Sequence, residues 1–125
     1  MVSDQKIKSY KELLIWQKGI VLVKEVYKLT KKFPRTEKFG LINQIQRAAI
    51  SIPSNIAEGQ ARQHSKEFRQ FLFTALGSLA ELDTQLNIAL ELNYINQDEL
   101  TSIDEKVTEV RRMIRGLLSK LTTGH

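Results

Sequence analysis

Cysteine is absent from the 125 residues of this chain, which excludes disulfide bonds, thiolate metal sites and a cysteine nucleophile. The absence also fits a reducing compartment, so we expect a cytoplasmic protein. No apolar run approaches the roughly 20 residues that cross a bilayer, and the N-terminus has no hydrophobic signal core, so membrane insertion and export are not expected. Two prolines and six glycines leave few breaks in the chain, and no alternating apolar run predicts a strand.

Positive charge is concentrated in the first third of the chain. Residues 1–40 hold ten Lys or Arg against four Asp or Glu, a net +6, within a total of +5. Nine of these ten cations are lysines, which attract phosphate groups without recognising bases. We therefore expect either a nucleic-acid-binding surface or lysines that only keep the protein soluble. The candidate nucleic-acid-binding residues are Lys18, Lys24, Lys28, Lys31, Lys32 and Arg47.

Apolar residues recur at helical spacing in four segments. With 42% hydrophobic and 26% charged residues, the composition is that of a folded domain. The sequence therefore predicts an all-α fold, an antiparallel up-down-up-down four-helix bundle that fills one domain, residues 1–125. Its helices are predicted at about residues 13–32, 36–59, 65–92 and 97–120. Short connections between them favour antiparallel neighbours.

The ends and interruptions of these helices also have sequence signals. Thr36 and Ser65 are predicted N-caps of the second and third helices. Asn96 and Glu99 have the spacing of a capping box at the start of the fourth helix. Pro53 lies inside the second helix, where it removes a backbone donor. We therefore predict a kink at Pro53.

One face of the second helix carries an unusual polar strip. Arg47, Ser51, Asn55 and Glu58 follow one another at intervals of four, four and three residues, so they share that face. The strip is either a recognition surface for RNA or a partner, or a hydrogen-bonded helix contact at a subunit interface. Arg47 and Glu58 lie about 16 Å apart along the helix, so each needs a partner elsewhere.

The third helix has apolar or small residues on two sides, which is more than one small bundle covers. Its second side consists of Phe73, Gly77, Ala80, Thr84 and Ile88. Such a side is typical of a helix covered by another chain, so we expect a homo-oligomer. The candidate oligomer-interface residues are Arg47, Ser51, Asn55, Glu58, Phe73, Gly77, Ala80 and Ile88.

No pattern in the sequence indicates catalysis. Phosphate-binding glycine loops and nucleophile elbows are missing. His64 and Glu67 have the spacing of metal ligands, but the sequence offers no third ligand beside them. Trp16 and Tyr27 are expected in a core or interface rather than stacked on bases. We therefore expect no enzyme, no cofactor, no metal and no small-molecule substrate.

Most of the chain, from about residue 10 to 118, resembles the bacterial 23S rRNA-intervening sequence proteins. The resemblance is carried by Leu14–Lys18, Phe33–Pro34, Gly40–Leu41, Gln44–Gly59, Phe71–Leu72 and Gly77–Ser78. The family often has two consecutive arginines where this chain has Gln46–Arg47, so any phosphate contact there is weaker.

The resemblance implies a four-helix bundle that assembles with copies of itself. A related protein, the accessory factor of diversity-generating retroelements, is a ring-shaped homopentamer that binds nucleic acid and works with a reverse transcriptase. By this resemblance the chain is expected to form a pentameric ring whose partners include RNA, DNA or a reverse transcriptase. For most family members no biochemical activity is assigned.

Overall fold

Four long helices make up most of residues 9–123, which are the residues that the structure, a computed structural model, describes. They are α1 (Leu14–Thr30), α2 (Leu41–Ala61), α3 (Ser65–Glu91) and α4 (Gln97–Thr123). Two short 3-10 turns, Tyr10–Glu12 and Arg35–Glu37, precede α1 and α2. Within the described residues there are no strands, so the predicted all-α class and the four helices are confirmed.

The helices surround a single apolar core. α1 packs against α2 and α4, and α3 packs against the same two helices, so the four form a closed ring in cross-section. α3 supplies four fully buried leucines to this core, namely Leu72, Leu79, Leu82 and Leu86. The antiparallel direction of successive helices remains a prediction.

α2 continues across Pro53 as far as Ala61. Pro53 is buried and lies against Gly19 of α1, where an added Cβ would be 3.3 Å from the proline Cβ. Alanine at position 19 would therefore require Pro53 to shift by a few tenths of an ångström. The predicted kink at Pro53 remains a prediction.

Two of the predicted N-terminal caps are wrong, and the predicted capping box of α4 is confirmed. Thr36 belongs to the 3-10 turn, and α2 begins five residues later, where the Leu41 amide donates to Glu37 Oε1 at 3.1 Å. The glutamate side chain is long enough to pass Gly40 and reach the Leu41 amide, whereas a threonine side chain is too short. Ser65 is the first residue of α3 rather than its cap.

The capping box at the start of α4 is present as predicted. The Glu99 amide donates to Asn96 Oδ1 at 2.8 Å, and the Asn96 amide donates to Glu99 Oε1 at 2.9 Å. Two amides at the helix N-terminus thereby gain acceptors. The contact with the Lys32 ammonium, followed by the hydrogen bond from the Asn96 amide, lowers the pKa of the Glu99 carboxyl.

Asp83→Asn is expected to raise the stability of the bundle at neutral pH. Burial raises the pKa of Asp83, and the charge and hydrogen bond of Asp104 raise it further, against a lowering effect of Arg111. A carboxyl whose pKa is higher in the folded than in the unfolded chain stabilises the fold when it is protonated. This contribution is complete below the pKa of the unfolded chain, and it is lost as pH rises through the pKa of the folded chain.

The expected gain at pH 7 is on the order of a few tenths of a kcal/mol, as for other surface charges. Thermal unfolding followed by circular dichroism across pH checks this. The difference between variant and parent should disappear below about pH 3.9, the ordinary aspartate pKa. A variant that melts earlier than the parent at pH 7 would contradict the repulsion between the two carboxyls.

Candidate functional site

Two of the four residues in the polar strip of α2 make hydrogen bonds within the subunit. Ser51 Oγ and Ser78 Oγ of α3 are 2.8 Å apart. Asn55 Nδ2 donates to the Ser51 carbonyl at 2.8 Å and to Ser51 Oγ at 2.9 Å. Ser78 is buried and also donates to the Thr74 carbonyl at 3.2 Å. Ser51 therefore joins α2 to α3 within one subunit, and the Asn55 amide group supports Ser51 from the next turn of α2.

The other two members of the strip point to solvent. Glu58 is exposed and accepts from Arg62 at 3.2 Å, one helical turn onward. Arg47 is exposed and has no hydrogen-bond or ion-pair partner among residues 9–123. A guanidinium that the chain itself leaves unpaired retains its full capacity for bidentate contact with a carboxylate or phosphate.

The second side of α3 is exposed along its length. Phe73 and Ile88 keep 52% and 43% of their surface accessible, and Gly77 and Ala80 between them are also exposed. A Cβ added at Gly77 would meet nothing within 4 Å. The Arg69 guanidinium lies 5.6 Å from the centre of the Phe73 ring. This side is thus a shallow apolar strip with large residues near both ends.

These two strips lie on helices that pack against each other. Ser51 of the polar strip contacts the buried Ser78 of α3, whereas the apolar strip lies on the solvent side of α3. We call the combined surface the α2–α3 face. Its exposed members are Arg47, Glu58, Phe73, Gly77, Ala80 and Ile88. The predicted interface residues thus lie on two neighbouring helices, and their role in an interface remains a prediction.

The candidate lysines of α1 divide into two groups. Lys18 pairs with Glu109 of α4 at 3.2 Å, and Lys32 pairs with Glu99 of α4. Along α1 itself, Lys28 lies 3.7 Å from Glu25. Because these pairs are solvent-exposed, they are weak and leave the ammonium groups able to exchange partners. They nevertheless reduce the positive field below what the sequence count predicts.

Lys24 and Lys31 are exposed and have no ion-pair partner in the part of the chain that the structure describes. Tyr27 lies between them at helical spacing and is 39% exposed. Tyr27 therefore lies outside the core, and its burial in an interface remains a prediction, whereas Trp16 packs against the core. We call Lys24, Tyr27, Lys28 and Lys31 the α1 ridge.

Sequence reasoning missed Phe39, the most exposed large apolar side chain among the described residues. Its exposed fraction is 86%. It lies between α1 and α2 in a turn that also contains Arg35 and Lys38. A phenylalanine is usually assigned to the core by residue preference. The available signal was its position between a lysine and a glycine, outside every apolar stripe.

Glu37 fixes this turn to the rest of the bundle. Its carboxylate accepts from the Tyr94 hydroxyl at 2.7 Å and from the Leu41 amide at 3.1 Å. These hydrogen bonds lower the pKa of Glu37, with the Tyr94 contact contributing most. The same contact raises the pKa of the Tyr94 hydroxyl. Tyr94 in turn packs on the buried Phe33 ring, with centres 5.3 Å apart.

Residues 9–123 contain no group of three or more His, Cys, Asp or Glu side chains arranged to hold a metal ion. His64 precedes α3 and is exposed. Within the same range, none of the helices has the length and hydropathy to cross a membrane.

Comparison with known proteins agrees with the fold. A family model described as 23S rRNA-intervening sequence protein matches residues 11–116, which confirms the resemblance seen in the sequence. No curated protein matches the chain. A solved structure from Bacteroides thetaiotaomicron, described as a protein with unknown function from the S23 ribosomal protein family, has a TM-score of 0.75 and 23% identity. The match covers 84% of this chain and 98% of that one, and at this identity the likeness concerns the fold.

Proposed function

From the premise that this chain belongs to the 23S rRNA-intervening sequence protein family, we propose a non-enzymatic scaffold. In this proposal it assembles with copies of itself and binds RNA, DNA or a nucleic-acid enzyme such as a reverse transcriptase through basic surfaces, in the bacterial cytoplasm. The observation that carries the proposal is that the α2–α3 face is exposed although the bundle already has a buried apolar core.

Assembly is supported by the chemistry of the α2–α3 face. Fully burying a Phe or Ile side chain contributes about 1.5–3 kcal/mol, and this surface exposes one of each, at the two ends of the apolar strip. Gly77 and Ala80 between them allow close approach of another backbone. Arg47 and Glu58 supply opposite charges on the neighbouring helix α2. A ring results if this face meets a different surface of the next copy, and the family resemblance favours five subunits.

Nucleic-acid binding is supported by the α1 ridge. Each subunit offers only a few lysines, so one copy binds a phosphate backbone weakly. Several copies on one ring act together, which raises the apparent affinity without any base recognition. Tyr27 adds an exposed aromatic ring among the lysines.

Lys24, Lys28 and Lys31 replaced together by glutamine are expected to weaken RNA and duplex DNA binding. Each lost phosphate contact should reduce the slope of log affinity against log salt by about 0.7–0.9. Fluorescence anisotropy across a salt series measures both quantities. A matched control removes the same charge elsewhere, with Lys66, Arg115 and Lys120 replaced by glutamine. Undetectable or salt-independent binding by the unaltered protein at low ionic strength would overturn the nucleic-acid part of the proposal.

A second candidate is a self-assembling protein-interaction module without nucleic-acid binding. The pairing of Lys18 and Lys32 with carboxylates of α4 favours it, because paired lysines present less charge to phosphates. Here the triple lysine variant would retain its partners in a pull-down, and nuclease treatment would not release them. The scaffold proposal assigns no reaction to the chain, and nucleic-acid cleavage with an added divalent metal would contradict it.

A further inference from the structure

We propose that Phe39 and the basic turn around it form a stacking site for single-stranded nucleic acid. This inference rests on the proposed function, which it narrows to one class of ligand. Phe39 is 86% exposed, although burial of such a side chain would contribute to stability. The fold thus presents one of its largest apolar side chains to solvent.

The turn holds Phe39 in a defined place. Successive backbone hydrogen bonds of 3.0 Å run from the Glu37, Lys38 and Gly40 amides to the carbonyls of Pro34, Arg35 and Glu37. The Glu37 side chain is bonded to both Tyr94 and the start of α2. Because the backbone on both sides of Phe39 is fixed, binding has to order only the side chain, which lowers the entropic cost.

The charge around the ring suits a phosphate backbone. Residues 31–40 hold four cations, Lys31, Lys32, Arg35 and Lys38, against the single anion Glu37, a net +3. The Lys38 ammonium lies 5.5 Å from the centre of the Phe39 ring. A base stacked on an aromatic side chain brings its own phosphate to neighbouring cations, the arrangement by which proteins hold single strands. Lys31 also belongs to the α1 ridge, so the turn extends that basic surface.

The same features disfavour other ligands. A duplex hides its base faces within the stack, so it offers Phe39 nothing to stack on. A lipid surface is bound through broader apolar area, whereas the residues on either side of Phe39 are a lysine and a glycine. The single-stranded form is therefore the nucleic acid that this turn selects.

Phe39→Ala is expected to weaken binding of a labelled oligouridylate about tenfold and to leave binding of a matched RNA duplex unchanged, with anisotropy measured at one salt concentration. Phe39→Trp should retain or strengthen single-strand binding, and Phe39→Leu, which is apolar but cannot stack, should resemble Phe39→Ala. The matched control is Leu14→Ala, which shortens another exposed apolar side chain (57% exposed) and should change neither affinity.

Several results would overturn the stacking site. One is full single-strand affinity of Phe39→Ala or Phe39→Leu; another is an equal loss for the duplex. A change of oligomeric mass in Phe39→Ala would assign the ring to a subunit contact, and binding of phosphatidylserine vesicles in place of oligouridylate would assign it to a membrane. If the protein binds nucleic acid and substitutions of Phe39 leave the affinity unchanged, the scaffold proposal stands without the stacking site. If the unaltered protein binds no nucleic acid, the stacking site and the nucleic-acid part of the scaffold proposal are both overturned.

Discussion

Gly77→Arg is expected to convert the assembly into single chains while the helical content stays the same. The position is open in the isolated subunit, since an added Cβ meets nothing within 4 Å, and arginine favours helix over glycine by roughly 0.5–1 kcal/mol. On a covered α2–α3 face, however, the guanidinium would be buried without a partner, at a cost of several kcal/mol per interface. Light scattering measures the mass, and far-UV circular dichroism measures the helix content.

The matched control for this variant is Gly116→Arg. Gly116 is also an exposed helical glycine with open space at its Cβ position, but it lies on α4, away from the α2–α3 face. Gly116→Arg should therefore keep the mass of the unaltered protein, and Phe73→Asp should lose it as Gly77→Arg does. A monomeric mass for the unaltered protein would refute assembly altogether. A monomeric mass for Gly116→Arg would contradict the assignment of the subunit interface to the α2–α3 face.

Gly59→Ala is expected to destabilise the fold by about 1–3 kcal/mol, the usual cost of overpacking a filled core. An added Cβ would lie 2.7 Å from Phe71 Cβ and 2.9 Å from Phe68 Cδ1. The first of these atoms is held close to the α3 backbone, so the end of α2 must move away from α3. Chemical denaturation gives the free energy of unfolding directly.

The same substitution at an open position should act in the opposite direction. Gly116→Ala removes the conformational freedom of a helical glycine without a clash, so it should stabilise the protein by up to about 1 kcal/mol. If Gly59→Ala also stabilised the protein, the close packing of α2 on Phe68 and Phe71 would be wrong.

Much of the fold could be predicted because a helix is a local structure. Its hydrogen bonds join residues four apart, and its buried side repeats every three or four residues. The spacing of apolar residues therefore located the four helices, and the Asn96–Glu99 box located the start of α4. The start of α2 was predicted five residues too early, because an intervening 3-10 turn and a glutamate cap have no strong sequence signal.

The candidate site was predictable in part. The second side of α3 was correctly expected outside the core, since its residues fall opposite the buried stripe. The role of Ser51 and Asn55 was not predictable, because a polar helix face looks the same whether it meets a neighbouring helix or solvent. Only the rotation of α2 about its axis places Ser51 against Ser78.

The sequence by itself determined four helices, the apolar side of each, and an excess of positive charge in residues 1–40. Only the tertiary structure decided that Glu109 and Glu99 partly neutralise Lys18 and Lys32, and that Phe39 remains exposed on a fixed turn. The reason is physical: helical periodicity is set by neighbours along the chain, whereas pairing and exposure depend on the register between helices, which no local pattern contains.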